Sequence, residues 1–125
     1  MTACACGSGR TATACCALLH AGEPASTPEA LMRSRYSAYV LDRRDYLLST
    51  WHPSTRPASL PANEPGLKWL GLDLRRCEMQ DDDHGTVEFV ARSKLGGRAH
   101  RLHETSRFVR LDGRWFYLDG DITRR

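Results

Sequence analysis

Four of the chain's five cysteines, Cys4, Cys6, Cys15 and Cys16, lie within its first sixteen residues. Packing gives no reason for such crowding, whereas metal chemistry does. The spacing is C-x-C-x8-C-C. Deprotonated sulfur favours zinc, which takes four ligands in a tetrahedron at about 2.3 Å. Cys4 and Cys6 can clasp one side of the ion, while Gly7-Ser8-Gly9 reverses the chain and turns its amides toward the thiolates. Cys15 and Cys16 would close the other side. Disulfides compete poorly, because adjacent and next-but-one cysteines rarely meet the separation and dihedral that an S–S bond demands. Exposed free thiols would oxidise. The expectation is a closed, structural zinc site with no position left open for catalysis. One alternative stays open: His20 follows Cys16 by four residues, so on a helix it shares a face with it and could replace either vicinal cysteine. Cys77 stands in a strand-like run and reads as a small buried apolar residue.

A second group of residues lies downstream. Leu31, Met32, Arg35, Tyr36 and Tyr39 follow helical i, i+3, i+4 spacing, and Arg35 stands where an apolar side chain is expected. A desolvated charge needs a partner. Arg35 therefore snorkels to an edge, pairs with Glu88 or Glu104 on a neighbouring strand, or anchors an anionic ligand. His52, directly after Trp51, titrates near neutral pH and is a candidate proton shuttle. His103 and Glu104 are neighbours on a strand and point to opposite faces, so they form no dyad; His100 and His103 are split in the same way. The sequence has neither a nucleophile elbow nor a phosphate-cradling glycine loop, and no residue is assigned a catalytic role.

These side chains need elements to position them. At 125 residues, 41 % hydrophobic and 26 % charged, the chain can bury a core as one domain with a small appendage. The division expected is 1–22 for the cysteine motif and 23–125 for the rest. Thr27 caps a helix with Pro28 at its first position and Glu29 in its first turn, running to about Leu41. Asp42 starts a second helix with Leu47, Leu48 and Trp51 on its apolar side. The stretch from His52 to Gly66 holds four of the six prolines and is irregular. Antiparallel sheet follows. A strand over 67–79 carries Leu70, Leu72 and Leu74 on one face, Asp81-Asp82-Asp83-His84 is a solvated turn, and Val87, Phe89 and Ala91 alternate along the next strand. Gly96-Gly97 turns into a strand over 99–111, and Asp112-Gly113 turns into a last one containing Trp115 and Tyr117. Two helices before a four-stranded meander predict an α+β layer with the helices on one sheet face.

The formal charge is only +3. Residues 67–125 carry twelve Lys/Arg against ten Asp/Glu, and no segment is expected to concentrate the excess. A dedicated nucleic-acid binder shows a denser stripe, so protein is the favoured partner and nucleic acid the weaker one. No stretch approaches the ~18 apolar residues that cross a membrane, and no targeting segment is visible. A cytoplasmic location, where thiols stay reduced, is expected.

The stretch CACGSGRTATACC (4–16) resembles the SEC-C zinc motif, found at the carboxyl end of the SecA translocase ATPase and in many bacterial proteins. The usual motif has a proline where this chain has Ala5, an aromatic residue where it has Ala12, and a run of lysines of which only Arg10 remains. The stretches LMRSRYSAYVL (31–41), DYLLSTWHPS (45–54), KWLGLDL (68–74), VEFVAR (87–92) and HETSRFVRLDGRWFYLDG (103–120) resemble the YchJ-like family of bacterial proteins. That resemblance implies a cone-shaped α+β fold similar to nuclear transport factor two, also called cystatin-like, in which a curved antiparallel sheet wraps a long helix around a pocket. Arg35, Tyr36, Tyr39, His52 and Glu104 are the candidate pocket residues. Many members of the family carry a second cysteine motif at the carboxyl end; Asp121-Ile-Thr-Arg-Arg125 holds none. The leading functional expectation is a zinc-binding, non-catalytic interaction or ligand-binding module. A protein partner in the translation or translocation machinery is implied by the SEC-C resemblance alone. The alternative is a small acid/base enzyme of the isomerase or dehydratase type, with His52, Arg35, Tyr36 and Tyr39 in the pocket and the proline-rich loop as its lid.

Overall fold

The computed structural model describes residues 3–123; Arg124 and Arg125 of the carboxyl-terminal stretch lie outside the described residues. A 3-10 turn over Ala12–Ala14 leads into α1 (Cys16–His20), followed by α2 (Pro28–Val40) and α3 (Arg44–Ser49). Four strands complete the chain: β1 (Lys68–Asp81), β2 (His84–Leu95), β3 (Arg98–Leu111) and β4 (Arg114–Ile122). They form one antiparallel sheet in the order β1-β2-β3-β4. The fold is the expected α+β cone, a curved sheet packed on amino-terminal helices.

Helix α2 begins as its sequence specifies. The Thr27 hydroxyl accepts from the Ala30 amide at 3.0 Å, Pro28 opens the helix, and Glu29 sits in the first turn. Two of its sides are buried. Leu31, Met32, Arg35 and Tyr36 form one, while Ser34, Ser37 and Ala38 are small enough for α1 and α3 to approach closely. The start of the next helix differs from expectation. Asp42 has φ 57° and closes α2 in a left-handed turn, so α3 begins only at Arg44. Trp51 likewise leaves the helix and forms a parallel bridge with Tyr117 on β4.

The inner sheet face packs Trp69, Leu72, Leu74, Val87, Phe89, Phe108 and Trp115 around α2. Leu70 departs from its expected face and is 56 % exposed. It is the extra residue between the pairs Trp69↔Ser93 and Gly71↔Arg92, a bulge that puts Trp69 on the core side in its place. A second irregularity, at Arg75, bends β1 again. Cys77 also differs from expectation, being exposed and not buried. It pairs with core-facing Val87 on the edge strand, beside the first turn of α2, where its thiol donates to the Glu29 carboxylate at 3.8 Å. The irregular stretch after Trp51 is tied down by the Thr55 hydroxyl donating to the Leu118 carbonyl at 2.6 Å and the Asn63 amide donating to the Tyr39 carbonyl at 2.6 Å.

Candidate functional site

The cysteine segment is built as a small closed loop. Ala3 bridges Thr11, and the Cys4 amide donates to the Arg10 carbonyl at 2.9 Å. Gly7 (φ 78°) and Gly9 (φ 85°) supply left-handed turns that a side chain would strain. Cys15 caps α1 and Cys16 opens it. The result brings the Sγ atoms of Cys4, Cys6, Cys15 and Cys16 within 4.8 Å of one another, all in buried residues. Cys6 and Cys15 stand 3.6 Å apart, and Cys15 and Cys16 stand 3.9 Å apart. Four sulfurs at about 2.3 Å from a tetrahedral ion have edges of about 3.8 Å, so the donor set fits such a metal.

The surroundings suit a negatively charged thiolate cluster. The Ser8 hydroxyl lies 3.1 Å from Cys15 Sγ, the Arg10 guanidinium donates to the same sulfur at 3.8 Å, and the Ser37 hydroxyl lies 3.6 Å from Cys4 Sγ. The Arg33 guanidinium donates to the Cys6 carbonyl at 2.8 Å. Contact with Cys16 pulls the Cys6 thiol down to about 4 and pushes Cys16 up, so the proton stays on one sulfur of the pair. Burial raises Cys4, but hydrogen bonds from the Cys6 and Cys16 amides outweigh it and leave it lowered. Burial would lower Arg33; the Glu29 carboxylate and Cys6 more than offset it. His20 has another role here. Its Nε2 lies 2.8 Å from the Ser34 carbonyl, and its ring packs on Tyr46 with centroids 4.5 Å apart.

A cavity of about 220 Å³ opens between α2 and the inner sheet face. Arg35, Tyr36, Tyr39 and Glu104 line it together, joined by Trp69 and Tyr117. Arg35 is 3 % exposed, yet the expected ion pair is absent. Its Nη1 donates to the Leu47 carbonyl and the Thr50 hydroxyl, each at 2.8 Å, and its guanidinium lies between Trp51 (5.2 Å) and Tyr117 (4.6 Å). Desolvation lowers its pKa. Glu88 instead meets His103 at 2.7 Å on the outer sheet face. Glu104 accepts from Ser106 at 2.7 Å and from Tyr117 at 3.4 Å, over a position kept open by Gly120. His52 does not join the cavity. Its backbone amide follows Trp51 onto β4, donating to the Tyr117 carbonyl, and its ring turns outward to Ser54 (2.7 Å) and the edge of Phe116. Tyr117 and Trp51 are the side chains that sequence reasoning did not place around Arg35. The alternation of Trp115 and Tyr117 carried that signal for the first, whereas the bridge that carries Trp51 across to β4 has no sequence mark.

A curved NTF2-like sheet joined to a compact four-cysteine loop defines a class, and comparison with known proteins agrees. The family described as "YchJ, middle NTF2-like domain" matches residues 27–120. A UPF0225 protein of Methylibium petroleiphilum is 61 % identical over 94 % of this chain and 88 % of its own length, and one of Bordetella parapertussis is 57 % identical over 96 % and 92 %. The solution structure of a SEC-C motif containing protein from Rhodopseudomonas palustris superposes with a TM-score of 0.83 at 36 % identity, covering 97 % of this chain and 98 % of that one. A crystal structure of a SEC-C motif containing protein from Psychrobacter arcticus gives 0.78 at 25 % identity, covering 98 % and 83 %. The chain belongs to the YchJ-like, UPF0225 family.

Proposed function

We propose that this protein is a zinc-stapled, non-catalytic binding module of the cytoplasm, whose cysteine cluster holds one structural ion and whose cone receives a small anionic ligand or supports a protein partner. The observation that carries this reading is the set of four buried sulfurs within 4.8 Å of one another, with Cys6–Cys15 and Cys15–Cys16 close to the edge of a zinc tetrahedron. When bound, zinc supplies cross-linking between the loop and the start of α1. Cys4, Cys6, Cys15 and Cys16 fill its coordination shell, which leaves no open position for substrate. The likeness to SEC-C motif containing proteins supports the same reading. The cone supports binding over turnover, because the one histidine expected to move protons there faces away from it. Elemental analysis of protein purified under reducing conditions should find one zinc per chain, and a Cys15→Ser, Cys16→Ser variant should lose it. Metal-free wild-type protein would defeat the zinc assignment, and turnover of a small substrate abolished by a cavity substitution would defeat the non-catalytic one.

A further inference from the structure

Averaged over its carboxyl-terminal half the chain is nearly balanced in charge, but the sheet is not. No Asp or Glu occurs between Glu88 and Glu104, while Arg92, Lys94, Arg98 and Arg101 all do. Residues directly opposite on antiparallel strands project from the same face. The register sets Arg92 against Arg101 and Lys94 against Lys68. Arg92 and Lys94 are two apart on β2, so Lys68, Arg92, Lys94 and Arg101 share the outer face of the β2–β3 hairpin end, and all are exposed. Both cross-strand pairs are like-charged, an arrangement that costs stability. Elsewhere on this face charges are matched. Arg107 meets Asp119 and Asp121, and His103 meets Glu88. At the hairpin end only Arg92 has an acid nearby, Asp73 at 3.9 Å, and that carboxylate is closer to Arg75 at 3.3 Å. Lys68, Lys94 and Arg101 form no ion pair among the described residues.

We propose that this four-cation face docks the phosphodiester backbone of a nucleic-acid duplex. Protein interfaces are anchored by aromatic and apolar side chains and are depleted in lysine. This face offers no Phe, Tyr or Trp at the paired positions; Leu70, on the bulge, is the large apolar side chain exposed beside it. The same lack of aromatic platforms disfavours unpaired bases, which single-strand binders hold by stacking. Repulsive cations kept on an exposed sheet face are what phosphate contacts require, since those contacts position a protein without reading sequence.

The test is anisotropy titration of the full zinc-loaded chain against a labelled 20-base-pair duplex, as DNA and as RNA, over a salt series. Four phosphate contacts predict a slope of log K against log salt of about −3.6 for the DNA duplex. A Lys94→Glu, Arg101→Glu variant should lower that slope in magnitude by about 2 and weaken binding on the order of fiftyfold at 0.1 M salt. The same variant places Glu opposite Arg92 and opposite Lys68, so its melting temperature should equal or exceed that of the wild type, which separates lost binding from lost fold. A milder Lys94→Ala, Arg101→Ala variant should behave alike, with a smaller drop. Salt-dependent binding of either duplex, lost in the variants, supports the proposal. Absence of duplex binding at low salt, binding unchanged in the variants, or equal competition by polyglutamate would overturn it.

Discussion

Arg35 carries a buried charge held by the Leu47 carbonyl, the Thr50 hydroxyl and the faces of Trp51 and Tyr117. Its place in an apolar stripe marked it as a buried charge in need of a partner, and the partner expected was a carboxylate. The structure meets that need with a backbone carbonyl, a hydroxyl and two aromatic faces instead. Such partners are invisible to charge pairing, because any residue has a carbonyl and the Trp51 ring arrives from a segment without periodic signal. Replacement by Ala should cost about 3 kcal/mol in urea unfolding, since it leaves the Leu47 carbonyl and two rings without their shared neighbour. Lys should recover only part, lacking the planar fork that lies between the rings. The buried tyrosines make a second prediction. Burial raises Tyr36, Tyr46 and Tyr117 above the ordinary phenol value. The unfolded chain therefore releases those protons first, so their stabilising effect is complete below about pH 10 and is lost as the pH rises beyond it. Urea midpoints measured at pH 8, 10 and 11 should fall over the last interval, and Tyr117→Phe should lessen that fall.

At the scale of elements, most of the fold was legible. The cap at Thr27, the Asp112-Gly113 turn and the alternation along β2 are local rules, and the structure keeps each of them. What failed was register. Strict alternation puts Leu70 on the core face and the apolar character of a thiol puts Cys77 inside, whereas a bulge turns the first outward and an edge-strand position beside the first turn of α2 leaves the second exposed. Bulges depend on the partner strand, which a single segment does not contain. Charge failed for a related reason: a sum over fifty-nine residues hides what pairing gathers on one face. The docking of α2 onto the sheet depends on one position that was not flagged at all. A Cβ on Gly85 would come within 2.7 Å of the Pro28 ring and 3.3 Å of the Glu78 carbonyl. Gly85→Ala should therefore destabilise by about 1–3 kcal/mol through overpacking. Thermal unfolding would show it, and an unchanged midpoint would mean that α2 shifts without cost.

For the molecule as a whole, the four cysteines are part of the core and not an ornament on it. They belong to one buried cluster with Leu31, Tyr36, Phe89 and Phe108. Chelation should accordingly lower the stability of the entire chain in a single cooperative transition, detected alike by tryptophan fluorescence and by far-UV circular dichroism; separate transitions would show that the cysteine loop unfolds alone. The two margins of the sheet are treated differently. Beside β4 the Thr50 carbonyl and the His52 amide, flanking Trp51, occupy the outer hydrogen-bonding positions of Tyr117, whereas the far half of β1 is left open and is bent at Arg75. A straight ladder of free amides invites another copy to add on and seed a fibril; a kinked one carrying alternate charges does not. The irregularity that spoiled the alternation of β1 thus doubles as the molecule's guard against polymerising through its own rim.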